Sequence, residues 1–116
     1  MLQLLFYPHG NNGPVRDELR RLTDERPKAS ARLELDLDIL LMEGLRSSRI
    51  IIRPLGSKLW ELKRSYDGIE YRLFLGVSKG TVWLLHFIEK KSAKTPKGDL
   101  HLARKRLKEV ARAKGI

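Results

Sequence analysis

Apolar and polar positions alternate with two different periods along this chain, and the change of period divides it into a helical first part and a β-rich second part. Met1–Tyr7 is a short apolar run closed by Pro8 and the turn-forming Gly10, Asn11, Asn12 and Gly13, which reads as a strand. Pro14 stands where a helix begins, because its fixed φ suits the first turn and its missing N–H is not needed there. Asp17 and Glu18 then sit at the positive end of the helix dipole, and Val15, Leu19 and Leu22 fall on one side. Pro27 disfavours the α conformation in the residue before it, so this helix should end near Arg26.

The stretch Lys28–Glu43 carries both periods. Leu33, Leu35, Leu37 and Ile39 alternate with Glu34, Asp36 and Asp38 as a half-buried strand would, whereas Leu33, Leu37, Leu40 and Leu41 fit one helical face. The Leu/Ala/Glu-rich composition and Gly44 at the end favour the helix. Arg46–Lys58 reads as a basic connector with an apolar patch at Ile50–Ile52, followed by Pro54 and Gly56. Three β-rich runs come next, Leu59–Tyr66, Ile69–Val77 and Thr81–Lys90, joined by Asp67-Gly68 and Lys79-Gly80. Asp-Gly is a strong signal for a two-residue hairpin, so the runs form an antiparallel meander. Ser92–Gly98 is a linker, and Lys97–Ala113 is a final helix with Leu100, Ala103, Leu107 and Val110 as its stripe. The expected class is α+β, with an N-terminal strand and two helices packed on a twisted antiparallel sheet and a basic C-terminal helix.

At 116 residues the chain is expected to be one domain, 1–116. Its formal charge is +10, and the excess is one-sided: residues 1–45 carry a net −2 and residues 46–116 a net +12. Charge concentrated in this way attracts polyanions, so nucleic acid, or an acidic protein that mimics it, is the expected partner class. The absence of cysteine excludes disulfides, thiolate catalysis and cysteine zinc sites. His9, His86 and His101 are too scattered for a metal motif, so neither metal nor cofactor is expected. No apolar run is long enough for a membrane span and no signal peptide is visible, which leads to the expectation of a cytoplasmic protein without a membrane partner.

The period of two sorts the meander's side chains by face. Glu61 and Lys63 share one side of the first run and Arg72 lies away from the apolar set Tyr71, Leu73, Leu75 and Val77, so Lys63, Arg72 and a lysine from the end of the third run fall on one open face. This is a row of cations with no carboxylate triad among them, suited to the charge that grows on a phosphodiester oxygen during reaction. The duller alternative is that Lys63 and Arg72 are solvated or paired with Glu61 and Glu70. Trp60 and Trp83 read as core. His86 reads as structural, though a neutral imidazole in a cleft also serves as a general base.

The order of these runs is familiar. Pro54-Leu55-Gly56, Leu59-Trp60-Glu61-Leu62-Lys63, Tyr66-Asp67-Gly68, Tyr71-Arg72, Leu84 through Lys91, and Lys94-Thr95-Pro96 resemble the RelE/HigB-like toxins of type II toxin–antitoxin systems, in the phage-derived branch of the RelE/ParE superfamily. The resemblance is close over about residues 54–110 and architectural before that. It implies a RelE/ParE-like fold and a metal-independent mRNA endoribonuclease acting on translated mRNA at the ribosome. It also implies partners: mRNA, the ribosome, and a cognate antitoxin that is acidic or has an acidic segment and binds DNA. The resemblance assigns catalysis to Lys63, Arg72, Lys90 and Lys91, with RNA binding by Arg64, Lys94, Arg104, Lys105 and Lys108. The base stays open between His86 and a lysine of depressed pKa. Two departures stand out: Lys63 replaces the usual arginine and so lacks its bidentate fork, and Glu89 precedes Lys90-Lys91, so either the register slides by one or the cleft contains an acid. A gyrase poison of ParE type and a non-catalytic nucleic-acid-binding module are the competing readings.

Overall fold

The computed structural model describes residues 1–90 and 96–114. In chain order the elements are β1 (Gln3–Phe6), α1 (Pro14–Glu25), α2 (Pro27–Glu43), β2 (Ile51–Gly56), β3 (Leu59–Tyr66), β4 (Ile69–Ser78), β5 (Thr81–Lys90) and α3 (Lys97–Lys114). The five strands form one sheet in the order β1-β5-β4-β3-β2. The class is α+β as expected, and the sheet is mixed: β2 through β5 run antiparallel, while β1 joins parallel to β5. The basic connector expected over Arg46–Lys58 is a correction, because its second half is strand β2, paired from Ile51 opposite Lys63 to Gly56 opposite Leu59. An edge strand tolerates Pro54, since one side of its backbone needs no ladder partner.

Burial on both faces of the sheet explains why β4 reads as a nearly continuous apolar run. On one face α1 and α2 bring Val15, Leu22, Leu33, Leu37 and Leu40 against Leu62, Tyr71, Leu73, Leu75, Val82, Leu84 and Phe87. On the other, α3 brings Ala103 and Val110 against Leu59, Phe74, Trp83 and Leu85. Stretch 28–43 is helical because that fold buries Leu33, Leu37 and Leu40 together, while Leu35, which a strand would have placed with Leu33 and Leu37, is 52% exposed. The hairpins at Asp67-Gly68 and Lys79-Gly80 have positive φ at both central residues, as the sequence led one to expect for Asp67-Gly68 and, in the second turn, for Gly80.

One irregularity sets the geometry of the α3 face. Phe74 pairs with His86 but Leu75 pairs with Leu84, so β5 carries an extra residue, Leu85, in a β-bulge. Trp83 before the bulge and Leu85 within it point to α3. After it the alternation is displaced by one: Phe87 joins the α1/α2 core, Glu89 reaches Arg21 of α1, and Ile88 packs on the α3 side. The Leu85 carbonyl accepts a hydrogen bond of 2.8 Å from Arg106 Nη1. No helix among the described residues is long and apolar enough to cross a membrane.

Candidate active site

Directly opposed residues of antiparallel strands share a face and stand close enough for their side chains to meet. Arg72 on β4 lies between Lys63 on β3 and Ile88 on β5, and Glu70 lies opposite Lys90. Because of the bulge, Lys90 and His86 fall on the same face as Arg72, which straight alternation along β5 could not settle. Lys63, Arg72 and Lys90 therefore occupy three adjacent strands on one side of the sheet.

Two carboxylates lie between these cations. Arg53 Nε is 2.8 Å from Glu61 Oε1, Arg72 Nη1 is 3.6 Å from Glu61 Oε2, and Arg72 Nη2 is 2.5 Å from Glu70 Oε2. Lys63 Nζ is 3.2 Å from Glu70 Oε1. The result is a ladder of alternating charge, Arg53–Glu61–Arg72–Glu70–Lys63, crossing three strands. Arg72 and Glu61 are both fully buried, whereas Lys63 is 27% and Glu70 17% exposed. The pairing alternative for Lys63 and Arg72 is thus realised: both contact Glu70, and Arg72 also contacts Glu61. The acid suspected at Glu89 is not part of this face, since that carboxylate lies 3.3 Å from Arg21 in α1.

Burial pushes the Glu70 carboxyl up, but hydrogen bonds and charge from Arg72 and Lys63 outweigh it, leaving its pKa below the ordinary 4.5. A carboxyl with a depressed folded pKa contributes stability above its unfolded value and loses it as pH falls through the folded one. Thermal unfolding followed from pH 7 toward acid should therefore show a loss of stability below about pH 4.5 that is smaller in Glu70→Gln. Parallel curves for the two proteins would show that the ladder does not tune this group.

His86 stands at the α3 side of the cluster. Its ring stacks on Phe74 at 5.8 Å between centroids, and its Nε2 lies 2.7 Å from Asp99 Oδ1 in the first turn of α3. The His86 side chain is 15% exposed. Sequence reading missed this pair: Asp99 announced a helix start, and a separation of 13 residues between two different elements carries no periodic signal. The arrangement offers fixed cations for an anionic group beside an imidazole held in a set orientation.

The remaining expected residues are distributed differently. Lys91 and Lys94 lie outside the described residues. Arg64 is on the opposite face, where its Nε and Nη2 hold Asp36 of α2 at 2.7 and 2.5 Å, and the Asp36 hydrogen bond raises the Arg64 pKa. Arg104 donates to the carbonyls of Leu55 and Gly56 at 2.6 and 3.2 Å, fastening α3 to β2. Lys105 and Lys108 are exposed on α3. Arg64→Ala should destabilise the fold by about 3 kcal/mol, because it strands a buried carboxylate. Asp36→Ala should cost less, since Arg64 is 30% exposed and water reaches it. Urea unfolding of the two variants checks the order, and equal losses would overturn it.

A family model described as Phage derived protein Gp49-like (DUF891) matches residues 17–108. No curated protein matches the chain. The matched span runs from α1 to α3 and takes in the charge ladder, the bulged strand and the His86–Asp99 pair. With most of its length covered by that model, the chain belongs to the Gp49-like family of phage-derived proteins.

Proposed function

We propose that this chain is the toxin of a type II toxin–antitoxin pair and that it cleaves translated mRNA at the ribosome without a metal. The Gp49-like family is in general of toxin type, which supports the first half of this reading and implies a cognate antitoxin. The observation that carries the second half is the convergence of Lys63, Arg72 and Lys90 on one sheet face beside His86 and Asp99. In the proposed reaction the ribose 2′-hydroxyl attacks the adjacent phosphorus, forming a 2′-O–P bond as the P–O5′ bond breaks. Lys63 and Lys90 face the phosphate oxygens, Lys90 also giving a proton to O5′ as it departs, and the sequence resemblance implies a catalytic role for Lys91 and an RNA-binding role for Lys94. Arg72, buried in the ladder, sets the potential of the site and fixes Glu70 and through it Lys63. His86, with Nε2 held by Asp99, accepts the hydroxyl proton on Nδ1. Lys105 is the proposed backbone contact from α3; Arg64 and Arg104 are occupied in holding helices to the sheet.

The test is induced expression in a permissive bacterium, with primer extension on cellular mRNA within minutes. Growth arrest with discrete breaks inside translated codons is the expected result. Arrest with intact mRNA and broken chromosomal DNA would transfer the protein to the gyrase-poison reading, and unimpaired growth would withdraw the toxin reading.

A further inference from the structure

At the end of the sheet away from Lys63 and Lys90, the last turns of α3 stand off the β2–β3 turn and the β4–β5 end to leave a groove of about 340 Å3. Its apolar surface comes from Val77, Trp83, Leu107 and Ala111, and its rim carries Lys58, Arg104 and Lys108, with no carboxylate in the lining. Lys114 adds a further cation, its Nζ 5.9 Å from the Trp83 ring centroid. None of Lys58, Arg104 and Lys108 pairs with a carboxylate among the described residues. Lys108 lies nine residues beyond Asp99 on α3, about 14 Å at 1.5 Å per residue, so this groove is separate from the candidate active site.

The backbone at its mouth is unusual. The other two tight hairpin turns end in glycine, but the β2–β3 turn places Ser57 and Lys58 at φ 53° and 69°. Two consecutive non-glycine residues in the left-handed region cost conformational energy, and holding them there presents Lys58 over the groove. The apolar floor is set by a close approach: a Cβ on Gly76 would stand 2.6 Å from Leu107 Cδ1, so only glycine lets α3 lie this near β4 without repacking.

We propose that this groove receives an acidic amphipathic segment of a partner protein, which on the reading above is the antitoxin. Apolar side chains of the segment fill the floor while its carboxylates meet Lys58 and Lys108. Charge complementarity selects this occupant. A second copy of the chain would bring another net +10 to a cationic rim. Nucleic acid would use the cations but not the floor, because Trp83 is 4% exposed and offers no ring face for a base.

The test uses the full chain and the protein encoded by the adjacent gene, with Lys58→Glu and Ala111→Leu as separate variants. The first reverses a rim charge and the second fills the groove without changing charge. Both should arrest growth as the parent does. Both should bind the adjacent-gene protein at least tenfold more weakly by calorimetry, and that protein should no longer rescue growth. Binding within twofold of the parent for both variants would overturn the inference and leave the toxin reading intact. Variants that keep the parent's melting temperature yet lose growth arrest would overturn it in favour of a nucleic-acid contact. Failure of the parent chain itself to arrest growth is seen before any partner is added, and removes the toxin reading and the inference that rests on it.

Discussion

Arg72→Ala is expected to lower the stability of the fold by about 3–5 kcal/mol, the largest effect of any single change in the ladder. The side chain is fully buried and bridges Glu61 and Glu70. Its removal strips a cation from Glu61, which is also fully buried, and Arg53, which stays beside it, is half-exposed. A loss of this size is a large fraction of the ~5–15 kcal/mol that holds a typical domain folded, and moves Tm by about 10 °C or more. Loss of growth arrest in Arg72→Ala alone would therefore say little about chemistry. The paired substitution Arg72→Met with Glu61→Leu resolves the two effects, because apolar residues of similar volume often replace a buried ion pair at no net cost. The double variant should regain most of the lost Tm. If it also regained growth arrest, Arg72 would be structural; if it stayed folded and silent, Arg72 would act on the reaction through the potential it sets. A Tm for Arg72→Ala within 2 °C of the parent would show that the ladder is not what holds this face together.

The elements most legible in the sequence were those whose period matches their burial. The β3–β5 meander was marked by its turn residues, and the limits of α1 and α2 by Pro14, Pro27 and Gly44. β2 was hidden because it lies at the sheet edge and buries little, with Ile52 and Leu55 only half-buried and Ile51 61% exposed, so it lacks the alternation of an inner strand. The candidate site was half-legible for a related reason. Alternation placed Glu61, Lys63, Glu70 and Arg72 on one face, but it reports direction and not pairing, so the same four residues read equally as a phosphate site or as an ion ladder. On β5 both sides are apolar, and the extra residue at Leu85 leaves no mark in such a pattern. Yet that bulge brings His86 and Lys90 to the face of Arg72. Arg64 is assigned to RNA binding by the resemblance, not by the alternation of the strand. The period of two sends it to the face opposite Lys63, where Asp36 holds it.

Lys63→Met and Lys90→Met should each reduce the rate of mRNA cleavage by roughly 10²–10³-fold while leaving the fold nearly unchanged. The separation follows from where the charges stand. Lys63 is 27% exposed and 3.2 Å from Glu70, an ion pair near the surface that contributes about 0–1 kcal/mol to folding, so its Tm should shift by no more than a few degrees. Its value to the proposed reaction is greater, because the charge on the phosphate oxygens grows toward the transition state and a cation already fixed beside it needs no reorganisation. Lys63→Arg tests the departure from the arginine that the resemblance leads one to expect there. It restores the bidentate fork, and should cleave at least as fast as the parent unless the longer side chain is drawn wholly to Glu70. Primer extension on programmed ribosomes, with Tm measured on the same preparations, reads both quantities. Cleavage within threefold of the parent in both methionine variants would remove phosphate stabilisation from this face and leave the ladder as a structural device. A large rate loss at unchanged Tm would make the half-buried lysines, rather than the fully buried arginine, the residues that meet the phosphate.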